Sequence, residues 1–454
     1  MLVRFVVENI FSFGVRKEFN LISNDRLKTL NSHKYNINSL NLLKISSIYG
    51  ANGAGKSNLV KSLELLQRLI VEEKIPVELK DRQFKFQPDG SDKKQILAIE
   101  FIQEDTAFYY GVELLDDLIA TEELYLSGLG QKEDKLIFER KTNKDGVTEI
   151  NFSENFEHDE KSQLLKSVLL EDFVEPDKVI LTLLSNRDNK FLQDVKKAVN
   201  WFANTLRVLG TRSKPGALVH KIQNEPEFRK YAEDTMRSFD IGITSLTPKK
   251  TEIHKFFGAD KEEFIDDISK SLKSNPSRMI GLRSEKGSEI IILKEGNDIW
   301  VEELKIEHTG EKNKSALFEL DEESDGTIRL LDFIPAFHEM LTGNKVFVID
   351  EIERSIHPLL IKELVKKFSL DSDTKGQLIF TTHESNLLDQ EIFRQDEIWF
   401  AEKDKNGSTD LYSLNDFKEH KTIDIRKGYL KGRYGSIPFL ANLQDLNWHK
   451  YDTN

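Results

Sequence analysis

The apolar positions of this chain change period twice along its length. Up to about residue 150 they alternate, or cluster over short stretches bounded by polar turns, in MLVRFVVE, ILAIEFIQ (Ile96 to Gln103), AFYYGVELL (Ala107 to Leu115), LYLSGLG and KLIFERK. Such stretches predict strands, and the short polar gap after Gln103 predicts a hairpin. From about Asn155 the spacing becomes helical in KSQLLKSVLL, NKFLQDVKKAVNWFANTLRVLG, PEFRKYAEDTMRSF and DKEEFIDDISKSLK, with turn-rich TRSKPG and KSNPS between them. Strands return in SEIIILKEG and DIWVEELKIEHT, a second hairpin turning across Glu295 to Asp298. Helix and strand then alternate: a helix beginning near Thr327, KVFVIDE, a helix opened by Pro358 in HPLLIKELVKKF, and QLIFTTH ending at His383. This predicts an α/β fold with parallel connections. Residues 1–154 and 311–454 are expected to form two lobes of one core, split by a mainly helical insertion at 155–310. There is no internal repeat, and no heptad long enough for a coiled-coil arm.

The strand ends carry the chemistry. Ile45 to Tyr49 (ISSIY) reads as a buried strand entering GANGAGKS, Gly50 to Ser57, and SNLVKSLELLQRLI continues from Ser57 at helical spacing. This is the pattern of a phosphate-binding loop: glycines let N–H groups turn toward phosphates, the lysine reaches the β and γ oxygens, and the hydroxyl binds Mg²⁺. The candidate nucleotide-binding residues are therefore Gly50, Ala51, Asn52, Gly53, Ala54, Gly55, Lys56, Ser57 and Asn58, with the helix N-terminus facing the anion. A glycine-rich turn matching by chance is the alternative. Val346 to Ile349 suit a central parallel strand buried on both faces, and ligand-binding groups belong at the carboxyl end of such a strand. Asp350 and Glu351 stand there. With Ser57, Asp350 is the candidate Mg²⁺ partner, either directly or through a ligand of the ion, and Glu351 the candidate base or positioner of an attacking water. An exposed acidic turn is the competing reading. Together the two segments predict a P-loop NTPase that hydrolyses ATP, with Lys56 and Glu351 in catalytic roles.

Two further segments bear on the type of site. In LDEESDGTIRLLDF, Ser324 and Gly326 precede a helix start, where they either present a hydroxyl and N–H groups to an anion or simply cap the helix. His383, at the end of a predicted buried strand, can hydrogen-bond a γ-phosphate or attacking water, or serve the structure. His357, in IERSIHP, reads as a helix-start residue.

Composition narrows the picture. At 454 residues the chain exceeds one typical domain. It has no cysteine, which excludes disulfides, thiolate metal sites and cysteine nucleophiles. No apolar run approaches the roughly 18 residues that span a bilayer, and the first residues alternate like a strand, so a soluble cytoplasmic protein is expected. A net charge of −13 repels a phosphate backbone unless cations are locally concentrated. One cluster qualifies: Lys418, Lys421, Arg426, Lys427, Lys431 and Arg433, interleaved with Tyr429 and Tyr434. It suits nucleic acid, nucleotide or an acidic partner, and equally a solvated surface.

Taken together, VENIFSF, YGANGAGKS, ESDGTIRLL, FVIDEIERSIHP, FTTHES and GRYGSIPFL resemble the ABC-like, AAA-type core-domain ATPases related to the RecF, SMC and OLD families. These include the RloA-like and AbiL-like proteins of bacterial anti-phage and restriction loci. The resemblance covers both ends of the chain and not the insertion. It implies an ABC-type ATPase head that uses ATP and Mg²⁺ in a homodimer or higher homo-oligomer with composite sites. ESDGT, which stands where transporters have LSGGQ, would bring Ser324 and Gly326 to the partner's γ-phosphate, and His383 would be the switch histidine. IERSIHP takes the place of the dimer-contacting loop. The resemblance further implies a sensor or switch coupled to a separate effector, often a nuclease. A RecF- or SMC-like ATPase that clamps DNA directly is the alternative. LLSNRDNK, around Ser185 to Lys190, holds the place of the coupling loop but lacks its glutamine, and either Phe11 or Phe13 is the candidate to stack on adenine, with core packing the competing role. The stretch after His383 is too short for the carboxylate-rich nuclease domain of OLD proteins, so no intrinsic nuclease activity is expected.

Overall fold

The computed structural model describes residues 1–37, 40–87, 94–211, 213, 218–275, 279–283, 289–311, 314–417 and 423–437. Six strands form a central sheet in the order Leu206–Leu209, Val346–Ile349, Gln377–Thr382, Ile45–Tyr49, Ile398–Lys403, Thr409–Ser413. The first five run parallel, and the last is antiparallel to its neighbour. The middle strands are apolar on both faces because both faces are covered. Ile48, Val346, Val348 and Ile379 enter one core, while Ile45, Tyr49, Phe347, Ile349, Leu378 and Phe380 enter the other. Parallel register leaves the carboxyl ends level, with Ile349 opposite Phe380 and Thr382 opposite Tyr49.

Helix Lys56–Val71 lies on the first face and buries Leu59, Leu63, Leu66 and Ile70, one stripe at helical spacing. Beyond it a seven-stranded antiparallel sheet, including Leu2–Glu8 and the hairpin Gln95–Gln103 with Thr106–Leu115, completes the same core. The second face carries helices Asp325–Thr342 and Pro358–Leu370. Asp325–Thr342 is buried continuously from Ile328 to Phe337, since it lies between the central sheet and helix Pro226–Ser238. A further antiparallel sheet contains Ile243–Glu252, Asp298–Thr309, Glu289–Glu295 and Ile280–Arg283. With helix Glu262–Ser274 it closes a small separate core around Ile265, Leu272, Ile292 and Val301.

Both predicted hairpins are present. Helices predominate within 155–310, among them Glu160–Asp172, Pro226–Ser238 and Glu262–Ser274. The helix predicted over Asn189 to Gly210 is corrected. It runs only from Gln193 to Asn200, passes through a π turn at Trp201–Thr205 and becomes the strand Leu206–Leu209. Leu206, Val208 and Leu209 fit either element, and parallel pairing with Val346–Ile349 decides for the strand. Gln67 eases the switch by donating from Nε2 to the carbonyls of Phe202 (2.7 Å) and Leu206 (3.0 Å). The central segment therefore re-enters the core sheet instead of standing apart. Among the described residues no helix is long and apolar enough to cross a membrane.

Candidate functional site

Three adjacent carboxyl ends build the site. Ile45–Tyr49 delivers Gly50 to Lys56, Val346–Ile349 delivers Asp350 and Glu351, and Gln377–Thr382, lying between them, delivers Thr381 and His383. Gly53 and Gly55 take left-handed backbone angles (φ 79° and 110°), and a Cβ on Gly55 would collide with the Thr409 hydroxyl. The loop is strapped from outside. Thr409 Oγ1 donates to the Ala54 carbonyl (2.9 Å) and lies 2.7 Å from Ser12 Oγ, which accepts from Asn58 Nδ2 (2.8 Å).

Inside the loop Lys56 is only 4% exposed. Its Nζ donates to the carbonyls of Gly50 (2.7 Å) and Ala51 (3.2 Å) and lies 3.1 Å from His383 Nε2. Burial draws the Lys56 ammonium down to about 8, against the opposing pull of Glu353, Glu351 and Asp350. Burial, and then the Lys56 charge, lower the His383 imidazole as well, so the neutral ring is its form near neutral pH. Glu351 Oε1 lies 3.9 Å from His383 Nε2.

Asp350 is buried, and its Oδ1 accepts from Ser57 Oγ (3.1 Å) and Thr381 Oγ1 (2.6 Å). A hydroxyl and one carboxylate form the sparse, oxygen-only donor set that Mg²⁺ takes when substrate phosphates and water complete its shell, so these residues fit that ion. Glu351 follows in the left-handed region (φ 50°), with its N–H held by Thr381 Oγ1 at 2.8 Å. A non-glycine residue there costs about 1–3 kcal/mol, and such strain gathers at functional sites.

The structure thus brings Lys56, Ser57, Asp350, Glu351 and His383 together. Ser324 and Gly326 sit at another helix start. Ser324 Oγ accepts from the Thr327 N–H (3.1 Å), capping Asp325–Thr342, and a Cβ on Gly326 would collide with the Ser355 carbonyl. This segment therefore rests on the loop that follows Glu351. His357 caps Pro358–Leu370, its Nδ1 accepting from the Leu359 N–H (3.3 Å).

Other expectations are revised. Phe13 is fully buried in the core, whereas the half-buried Phe11 lines a cavity of about 300 Å³ with Asn58, Arg82, Phe84 and Phe86. Ser185–Lys190 does not approach the phosphate loop. Thr182 Oγ1 bonds the Ile70 carbonyl (2.8 Å), which places that segment at the far end of helix Lys56–Val71. At 1.5 Å per residue the far end is about 20 Å from Lys56. The backbone flanking Asp350 is instead Leu209, whose carbonyl accepts the Asp350 N–H at 2.8 Å. In the basic cluster, Lys418 and Lys421 lie outside the described residues. Tyr429 and Tyr434 are buried and stack on Phe400 (5.8 and 5.6 Å), so they are core residues and not platforms for bases. Sequence reasoning missed Ser12, Thr381, Glu353 and Thr409. Only the paired threonines of QLIFTTH and the third carboxylate of VIDEIE offered a local signal.

The buried lysine has a testable consequence. A bound phosphate raises the Lys56 pKa, so binding takes up a proton once pH exceeds about 8. ATP affinity is expected to be flat below that value and to fall by up to about tenfold per pH unit above it. Lys56→Arg should flatten the profile. Equilibrium titration with a fluorescent ATP analogue between about pH 6.5 and 9.5 checks this.

No curated protein matches the chain. Solved structures similar to it include an SMC head bound to the C-terminal winged-helix domain of ScpA, at 12% identity over 92% of this chain and 99% of that one, with a TM-score of 0.42. An SMC head domain from Thermotoga maritima is similar at 12% identity over 91% and 98% (TM-score 0.37). An SMC head with an extended coiled coil, bound to the C-terminal domain of ScpA derived from Pyrococcus furiosus, is similar at 13% over 92% and 99% (TM-score 0.36). Residues 45–389, which run from the strand before the phosphate loop to just beyond His383, match the family described as "AAA domain, putative AbiEii toxin, Type IV TA system", and the chain belongs to that family of AAA-domain proteins.

Proposed function

We propose that this chain is a Mg²⁺-dependent ATP-hydrolysing switch that closes head to tail as a homodimer and acts on a separate effector in the cytoplasm, in defence against phage. The observation that carries the reading is the convergence, on three adjacent strand ends, of Lys56 with His383 and Glu351 beside the Ser57–Asp350–Thr381 hydrogen bonds. Lys56 neutralises phosphate charge, Ser57 and Asp350 hold Mg²⁺, and Glu351 accepts a proton from the attacking water while His383 orients it. Mg²⁺, when bound, screens the β and γ oxygens. Phe11 and the cavity beside Asn58 take the base. The family description, which names a toxin–antitoxin system, supports a role exerted through other macromolecules.

The docking element in this reading is the outer sheet of the central segment. Lys250 and Glu302 face each other across paired strands, so a short turn can replace the part between them, which removes the small separate core together with Ile291 and Leu293 of the larger one. Tagged Glu351→Gln protein expressed from its native operon is expected to retain a neighbouring gene product in the presence of ATP, and to lose it after that excision. Equal retention by both forms would remove the sheet from the role. Purified protein that cuts nucleic acid alone would overturn the separate effector, and ATP-dependent duplex binding that weakens steeply with salt would favour direct DNA clamping.

A further inference from the structure

Glu353 is the third carboxylate after the strand Val346–Ile349, and it points back into the site. Its Oε1 accepts the main-chain N–H of His383 at 2.5 Å, tying the loop that carries Asp350 and Glu351 to the loop that carries the histidine. Its Oε2 is buried and has no hydrogen-bond partner among the described residues. Burial raises the Glu353 carboxyl, opposed by the His383 N–H, and the nearby Glu351 charge adds to the rise.

Burying a carboxylate is expensive unless its oxygens are used, and here one oxygen holds the main chain of the residue whose ring faces Lys56.

We propose that Glu353 is a positioning residue of the nucleotide site: its carboxylate oxygen fixes the His383 main chain against the loop that carries Asp350 and Glu351. The proposal rests on the ATP-binding reading above, and two variants test it. Glu353→Gln keeps an oxygen acceptor and loses the charge, whereas Glu353→Ala loses both.

In Glu353→Gln the His383 amide should stay as protected from deuterium exchange as in the parent. In Glu353→Ala the His383 amide should exchange at least about tenfold faster, and kcat should fall about 10–100-fold with a smaller change in KM, as the histidine loses its place. In a His383→Ala background Glu353→Ala should cost kcat almost nothing more. Amide exchange is read without nucleotide, so a failure of ATP turnover in the parent protein leaves that result standing. A His383 amide still protected in Glu353→Ala would overturn the positioning role, and if that variant does not fold, loss of amide protection in the folded Glu353→Gln protein overturns it instead.

Discussion

Glu351→Gln is expected to slow ATP hydrolysis by about 10²–10⁴-fold while leaving ATP bound, and Lys56→Ala to abolish both turnover and tight binding. The difference follows from where each side chain sits. Glu351 is a third exposed and held by its main chain, with its N–H on Thr381 Oγ1 and its carboxylate near His383. The amide replacement preserves shape and removes only the proton acceptor. Lys56 is almost fully buried, and the alanine variant would lose the bonds from its Nζ to the carbonyls of Gly50 and Ala51, the latter keeping the Ala54 N–H. The loop would lose both its positive charge and an internal brace. Steady-state phosphate release, together with separate nucleotide-binding titrations, reads the two effects apart. Unchanged turnover in both variants would sink the assignment of the site.

The parts of the fold that were legible in the sequence are those whose local pattern admits one answer. VFVI has too many apolar residues for a half-exposed strand, and the structure buries all four. The strand ISSIY and the glycines of the following loop were equally plain, since Gly53 and Gly55 occupy backbone angles that other residues avoid. LRVL was not legible: a helix precedes it without a break, and only its pairing with Val346–Ile349 makes it a strand. The same distinction governs the site. Lys56, Ser57, Asp350 and Glu351 lie in contiguous motifs, but Thr381 becomes the partner of Asp350, and Thr409 the brace of Ala54, only after distant segments fold together. Nothing within a few residues of Thr409 marks it. Tyr429 and Tyr434 misled for the converse reason. Aromatics among lysines suggest a nucleic-acid surface, yet the rings turn inward onto Phe400 while Arg426, Lys427 and Lys431 stay outside.

Ser324→Arg is expected to abolish hydrolysis although Ser324 lies at another helix start. Its hydroxyl is exposed and, among the described residues, bonds within its own turn to Thr327 and not to the protomer's own phosphate loop. In a head-to-tail dimer that hydroxyl and the helix N-terminus behind it would meet the partner's γ-phosphate, where an arginine side chain would not fit. Gly326 fixes the placement, because its close approach to the Ser355 carbonyl seats the helix start on the loop leading from Glu351. Mixing Ser324→Arg with Lys56→Ala chains separates the alternatives. In the mixed dimer one site combines an intact phosphate loop with an intact serine, and the other contains both defects. Random exchange makes half the dimers mixed, so about a quarter of the parent rate should return if the two sites act independently. The ratio of the two chains can then be varied, and the recovered rate should peak at equal amounts and vanish toward either pure variant. A site completed within one protomer predicts no recovery at any ratio, since each chain would carry its own defect into every assembly it joined.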